Sequence, residues 1–272
     1  LNGERPDMDR KRAENGPAAA ADDGTEAAIA EALAQSGLNL KLRFQMGHEG
    51  GWCCWDGRRW VPSSDRCPLA LQAAVRRIIA TGLESRVIES KAIPRLESAA
   101  GMRGIGTLLS AWPSMRLPDD MDLPGTLAMP SHVIELQSGE RLAHDPARMI
   151  TRCTAVNPGP VCHLWQPVED HLRACLGDSF TAVHRFLGSA LLGRGADRKL
   201  VWLHGPGGDG KSTLAKLLRY ALGDYLTTVP AEVFQTSSRN AHLHELGSGL
   251  AGARLAVALE VGGSLDWSRI KG

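Results

Sequence analysis

Apolar and polar positions along the chain change period several times, and each change marks an element. Residues 1–24 are charged and alanine-rich with no apolar repeat, and read as a disordered lead. Thr25 then stands as an N-cap for a short helix over residues 26–35, closed by Gly37. Leu38, Leu40, Leu42 and Phe44 alternate with polar residues, which is the period of a strand. Asp56-Gly57 between Trp55 and Trp60 predicts a two-residue hairpin turn. Over residues 68–82 the period becomes helical, with Leu71, Val75, Ile78 and Ile79 on one face and Arg76 and Arg77 beside it. Helical patterning runs on to Trp112, with breaks expected near Pro94 and at residues 101–106.

A Pro- and Asp-rich connector, residues 113–124, marks a subdomain boundary. Residues 133–136 and 141–143 form a second predicted hairpin turning at Ser138-Gly139, and residues 150–156 read as another strand. Helices follow at 163–176 and 179–192, the second with Asp178 as its expected cap. Residues 200–203 are an apolar run entering a glycine-rich turn, and a helical pattern leaves that turn. Residues 226–229 read as a short strand, whereas 231–245 are polar and ambiguous. The last informative run, residues 255–259, has the composition of a buried parallel strand with Glu260 at its carboxyl end.

Composition sets bounds on what this chain does. At 272 residues and 43% hydrophobic, it has room and apolar mass for one large or two modest domains. No apolar run approaches the length of a membrane span. A net charge of +1 advertises neither nucleic acid nor membrane globally, so any such footprint must be local. The chain opens on Leu1 without a signal pattern, and we read it as a cytoplasmic fragment of a longer protein. Cys53, Cys54, Cys67, Cys153, Cys162 and Cys175 form no C-x-x-C pair, and only Cys162 has a His neighbour, His163. They read as reduced structural thiols rather than zinc ligands. Trp52, Trp55 and Trp60, beside Arg58 and Arg59, could stack on bases. Packing is the expected role, because a small β-region needs large side chains for its core.

Candidate chemistry concentrates in the turn after residue 203. Gly205-Pro206-Gly207-Gly208-Asp209-Gly210-Lys211-Ser212, followed by Thr213, is a complete G-x-x-x-x-G-K-[ST] phosphate loop between a predicted strand and helix. Its glycines let backbone N–H groups wrap a phosphate, and the following helix turns its positive end to the same anion. Lys211 adds a point charge for the β/γ-phosphates, and Ser212 can ligate Mg²⁺. Asp209 sets a negative charge beside this nest, which weakens nucleotide binding if the carboxylate faces the phosphates. Glu260 lies 49 positions after Lys211, at the strand end where phosphate-loop folds keep an acid for Mg²⁺ or the attacking water. The expected ligand is ATP with Mg²⁺. Around the loop, Arg185, Arg194, Arg198, Lys199, Lys216 and Arg219 join Lys211 to outnumber Asp197 and Asp209. A solvated basic face explains such charges as well as phosphate or DNA does.

Several stretches in order carry a family likeness: Trp55-Asp56-Gly57 with Trp60, residues 133–146, Cys162 with Trp165, residues 205–213, Leu222-Gly223-Asp224-Tyr225, and residues 252–260. In these the chain resembles the phage/plasmid primase–helicase family. The resemblance implies an α/β fold in which a smaller α+β primase-helicase N-terminal region, residues 25–160, precedes a P-loop ATPase domain, residues 161–272. That domain would be a superfamily 3 helicase core, AAA+-like, with a parallel sheet. It further implies a homo-hexameric ring that moves on single-stranded DNA with ATP, Lys211 and Glu260 being catalytic. Lys271 falls where the family places a DNA-touching hairpin. The family usually has Asn in place of Asp209, and continues past Gly272 to a sensor Asn and an arginine finger. It also commonly carries an upstream primase domain. The expectation is therefore a chain that binds ATP but hydrolyses it slowly and does not unwind DNA alone.

Two other classes share the loop: a GTPase or small-molecule kinase, and a non-catalytic nucleotide- or DNA-binding or oligomerisation module. No N-K-x-D motif supports the GTPase. His244-Glu245 fails as a metalloprotease motif, because Ser248 stands where the second His must be.

Overall fold

A computed structural model of the chain describes residues 24–46, 50–160, 162–193, 200–231, 250 and 252–259. They divide into two compact units. The first comprises residues up to Asp56 with Trp60–Asp119, and the second Gly57–Arg59 with Asp120 onwards. The division falls within the Pro- and Asp-rich connector.

In the first unit the Thr25 side chain accepts from Ala28 N at 3.2 Å and opens α1, Glu26–Gln35. Gly37 ends it with φ +77°, a left-handed conformation that a side chain would strain. The alternation expected from Leu38 becomes strand only at β1, Leu42–Gln45, because Leu38–Leu40 is a 3-10 turn. β1 pairs antiparallel with β2, Gly51–Trp55, and β2 with β3, Trp60–Pro62. Trp55 sits opposite Trp60, so the turn is residues 56–59 rather than the expected two, because no pairing closes inside the Trp pair, and Gly57 takes φ +101°. Trp60 is fully buried, and its ring stands 5.7 Å from that of Trp55. The Arg43 guanidinium lies 5.5 Å from the Trp60 ring centroid. Packing, as expected, is what Trp60 does.

Helix α2, Arg66–Glu84, buries Cys67, Leu71, Val75, Ile78 and Ile79, the face the period picked out. Cys54 and Cys67 bring their sulfurs within 2.8 Å, and the Cys67 thiol donates to Trp52 O at 3.1 Å. Burial pushes the Cys54 thiol up to about 12 and Cys53 up to about 11, so both stay protonated at neutral pH. The short α3, Ile93–Leu96, contains Pro94, and α4, Ala99–Ser110, runs without interruption through residues 101–106. The expected break there is absent because these glycines serve close approach. Gly101 and Gly106 are buried, and a Cβ on Gly101 would overlap the Arg95 carbonyl and lie 2.8 Å from Leu96 O. Gly101→Ala should lower the melting temperature. Overpacking against backbone costs about 1–3 kcal/mol, more than the gain of up to about 1 kcal/mol in helix propensity. A raised melting temperature would contradict this.

In the second unit β4, Thr126–Ala128, pairs antiparallel with β5, Val133–Glu135, which pairs with β6, Arg141–Leu142. This is the second predicted hairpin with one strand added. Residues 150–156 form no strand. Thr154 N donates to Ala128 O at 2.9 Å, but Cys153 N donates to the Asp224 carboxylate at 3.0 Å, a side chain taking the place of a partner strand. Helices α5, Trp165–Leu176, and α6, Phe180–Leu191, are joined by a 3-10 turn that contains Asp178. Ser179, not Asp178, holds the cap position of α6, and it makes no side-chain cap bond. Helix α7, Lys211–Leu222, follows the glycine-rich loop. β7, Leu226–Thr228, then pairs parallel with β8, Leu255–Val257, with Leu226 opposite Leu255.

The described fold is thus mixed α/β, with two small antiparallel sheets and one parallel pair. Residues 200–203, expected as the strand that enters the loop, carry no strand pairing among the described residues. Leu200 is 55% exposed and Trp202 49%, and a parallel strand persists only where neighbours cover its edges and faces.

Candidate phosphate-binding site

Two families of contacts meet around the loop: those inside it, and those that hold the elements on either side. Inside, Gly208 takes φ +86° and Gly210 φ +88°, values that glycine alone adopts freely. They turn the chain into α7, whose first residue is Lys211, with Gly210 at the cap and the Lys211 amide donating to the Asp209 carboxylate at 3.5 Å. Ser212 and Thr213 are exposed in the first turn. A nest of amides at a helix N-terminus, with a lysine and a hydroxyl beside it, fits a phosphate group and the Mg²⁺ that accompanies it.

The Lys211 ammonium lies 2.6 Å from both Asp209 carboxylate oxygens, 2.9 Å from Gly205 O and 3.0 Å from Pro206 O. Its hydrogen bond holds the Asp209 carboxyl below the usual carboxylate range. A Cβ on Gly205 would overlap the Asp209 carboxylate, so this glycine makes room for a side chain of the loop itself. A groove of about 920 Å³ runs from Asp209, Gly210 and Lys211 along residues 200–204 and the facing sides of α5 and α6. His171 of α5 reaches the loop, with Nε2 3.1 Å from where a Gly210 Cβ would stand and 3.5 Å from the Cys175 sulfur. The sequence reading did not single out His171. Its spacing of four from Cys175 on a helix was the available signal.

The second family explains residues that carried the likeness without a role. Gly223 ends α7 with φ +55°, and a Cβ there would lie 2.6 Å from Ala155 N and 2.8 Å from Cys153 O. Asp224 N donates to Cys153 O at 3.1 Å, and the Arg152 guanidinium donates to Asp224 O at 2.5 Å. Tyr225 is buried and its hydroxyl accepts from Ala128 N at 3.1 Å; burial pushes that hydroxyl up to about 12. Arg254 N donates to Tyr225 O at 2.8 Å. The Arg254 side chain is buried over Gly193 and donates to Leu123 O and Thr126 O at 3.1 Å and Asp122 O at 3.3 Å. Residues 222–225 and 252–254 therefore fasten the parallel pair to residues 122–155.

A family model described as D5 N terminal like matches residues 30–172, more than half of the chain. The chain belongs to the D5 N-terminal-like family. This supports the primase–helicase likeness at the level of the N-terminal region. The D5 N-terminal-like segment takes in the first unit from within α1, continues through β4–β6 and ends inside α5. It stops before the phosphate loop. No curated protein matches the chain.

Of the site residues read from sequence, Gly205, Pro206, Gly207, Gly208, Asp209, Gly210, Lys211, Ser212 and Thr213 come together in one loop and helix start. Glu260 and Lys271 lie outside the described residues, as do Arg194, Asp197, Arg198 and Lys199. Among the described residues no group of three or more His, Cys, Asp or Glu side chains is placed to hold a metal. No described helix is long and apolar enough to cross a membrane.

Proposed function

We propose that the chain is part of a primase–helicase-type replication ATPase whose loop at residues 205–213 holds the triphosphate of ATP. The observation that supports this most is the loop itself: left-handed glycines feed the N-terminus of α7, where Gly210 offers no side-chain cap and Lys211 is the first residue. Lys211 and the loop amides would bind the β/γ-phosphates, and Ser212 and Glu260 would hold Mg²⁺. When bound, Mg²⁺ offsets charge on the phosphate oxygens. Glu260 accepts a proton from the water that attacks the γ-phosphate. The new P–O bond forms as the bond to ADP breaks, and ADP carries away the bonding pair. The working assembly is a homo-hexamer on single-stranded DNA, which supplies the cytoplasmic motor its track.

Phosphate release from the protein with single-stranded DNA tests the reading. ATP should be preferred over GTP. Lys211→Ala should lose nucleotide affinity and turnover together, whereas Glu260→Gln should lose turnover and keep its affinity for ATP measured without Mg²⁺. A GTP preference, or turnover indifferent to both substitutions, would overturn it.

A further inference from the structure

Lys211 is the cation of the loop, yet it is turned onto the loop's own oxygens: two carbonyls and both oxygens of Asp209. The pair is only partly exposed, with 33% of the lysine and 25% of the aspartate side chain accessible. The carboxylate seat is built, since Gly205 lacks the Cβ that would close it. Charge within the loop then sums to zero, and an arriving phosphate meets an anion where it would otherwise meet an ammonium.

We infer that Asp209 is a built-in competitor for phosphate, so that nucleotide binding at this loop requires the Asp209–Lys211 contact to break. The inference rests on the nucleotide reading of the loop. Asp209 becomes a residue that sets affinity through Lys211 rather than one that touches the reacting atoms. A pair that keeps this much contact with solvent is held weakly enough for the contact to break. The larger effect is the juxtaposition of carboxylate and phosphate once nucleotide is seated. Asparagine keeps the shape and removes the charge, while glutamate keeps the charge.

Titration calorimetry with Mg-ATP, and separately with inorganic tripolyphosphate, tests this on the parent, Asp209→Asn, Asp209→Glu and Lys211→Ala chains. Asp209→Asn should tighten both ligands by about tenfold, the scale of removing one like charge at short range. Asp209→Glu should not tighten either, and adenosine without phosphates should bind all chains alike. Because Lys211 holds the Asp209 carboxyl low, it stays ionised at neutral pH, and the tenfold ratio should be flat from about pH 6 to 8. The other ionisable groups bordering the loop or its groove are His171, His204, Cys175 and Arg185, and both chains carry all of them. Equal affinity of the parent and Asp209→Asn, with Lys211→Ala abolishing binding, would overturn the competitor role and leave the nucleotide reading standing. Absence of saturable Mg-ATP binding to both would remove the two together.

Discussion

Trp60→Ala should destabilise the first unit by about 3–5 kcal/mol, the usual cost of emptying a fully buried aromatic site. Trp60 has no exposed surface, stands opposite Trp55 and lies under the Arg43 guanidinium, so no neighbour can close the gap without moving the hairpin. Urea unfolding of the whole chain, followed by tryptophan fluorescence and circular dichroism, reads the loss. A midpoint equal to the parent's, with weakened single-stranded DNA binding instead, would revive the base-stacking role and contradict the packing one.

Arg254→Met should cost the second unit about 2 kcal/mol or more, because the Asp122 and Thr126 carbonyls lose a donor while Leu123 O keeps the Thr126 hydroxyl, and each buried orphan costs about 1–3 kcal/mol. Asp122, Leu123 and Thr126 stand well over a hundred positions earlier in the chain. Methionine fills much of the same volume, so the loss reports hydrogen bonding rather than a cavity. Arg254→Lys should recover only part of it, since an ammonium cannot reproduce the planar fork. Unfolding midpoints of the parent and the two variants check this. Indistinguishable values for the parent and Arg254→Met would mean that the latch carries no stability.

What was legible in the sequence was local. Thr25 and Gly37 bracketed α1 because a hydroxyl cap and a left-handed glycine act within a few residues. The turns at Gly57 and Gly139 were legible for the same reason. The glycines of α4 misled, since a glycine that breaks a helix and one that admits a neighbour look alike until the neighbour is known. Residues 200–203 and 150–156 misled in the opposite direction. Their composition suits strands, but strand pairing depends on what stands alongside. The phosphate loop was readable residue by residue. The capture of Lys211 by Asp209 depends on rotamers that spacing does not specify. The roles of Gly223, Tyr225 and Arg254 were hidden because their partners are distant in the chain.

The central claim is that backbone amides and Lys211 form a triphosphate cradle, and direct binding tests it with the fewest intervening steps. Mg-ATP titrated into the parent chain should saturate at one site per chain, and Lys211→Ala should weaken that site by at least about tenfold, as expected for loss of a charge-assisted contact. An affinity that Lys211→Ala leaves unchanged would contradict the account.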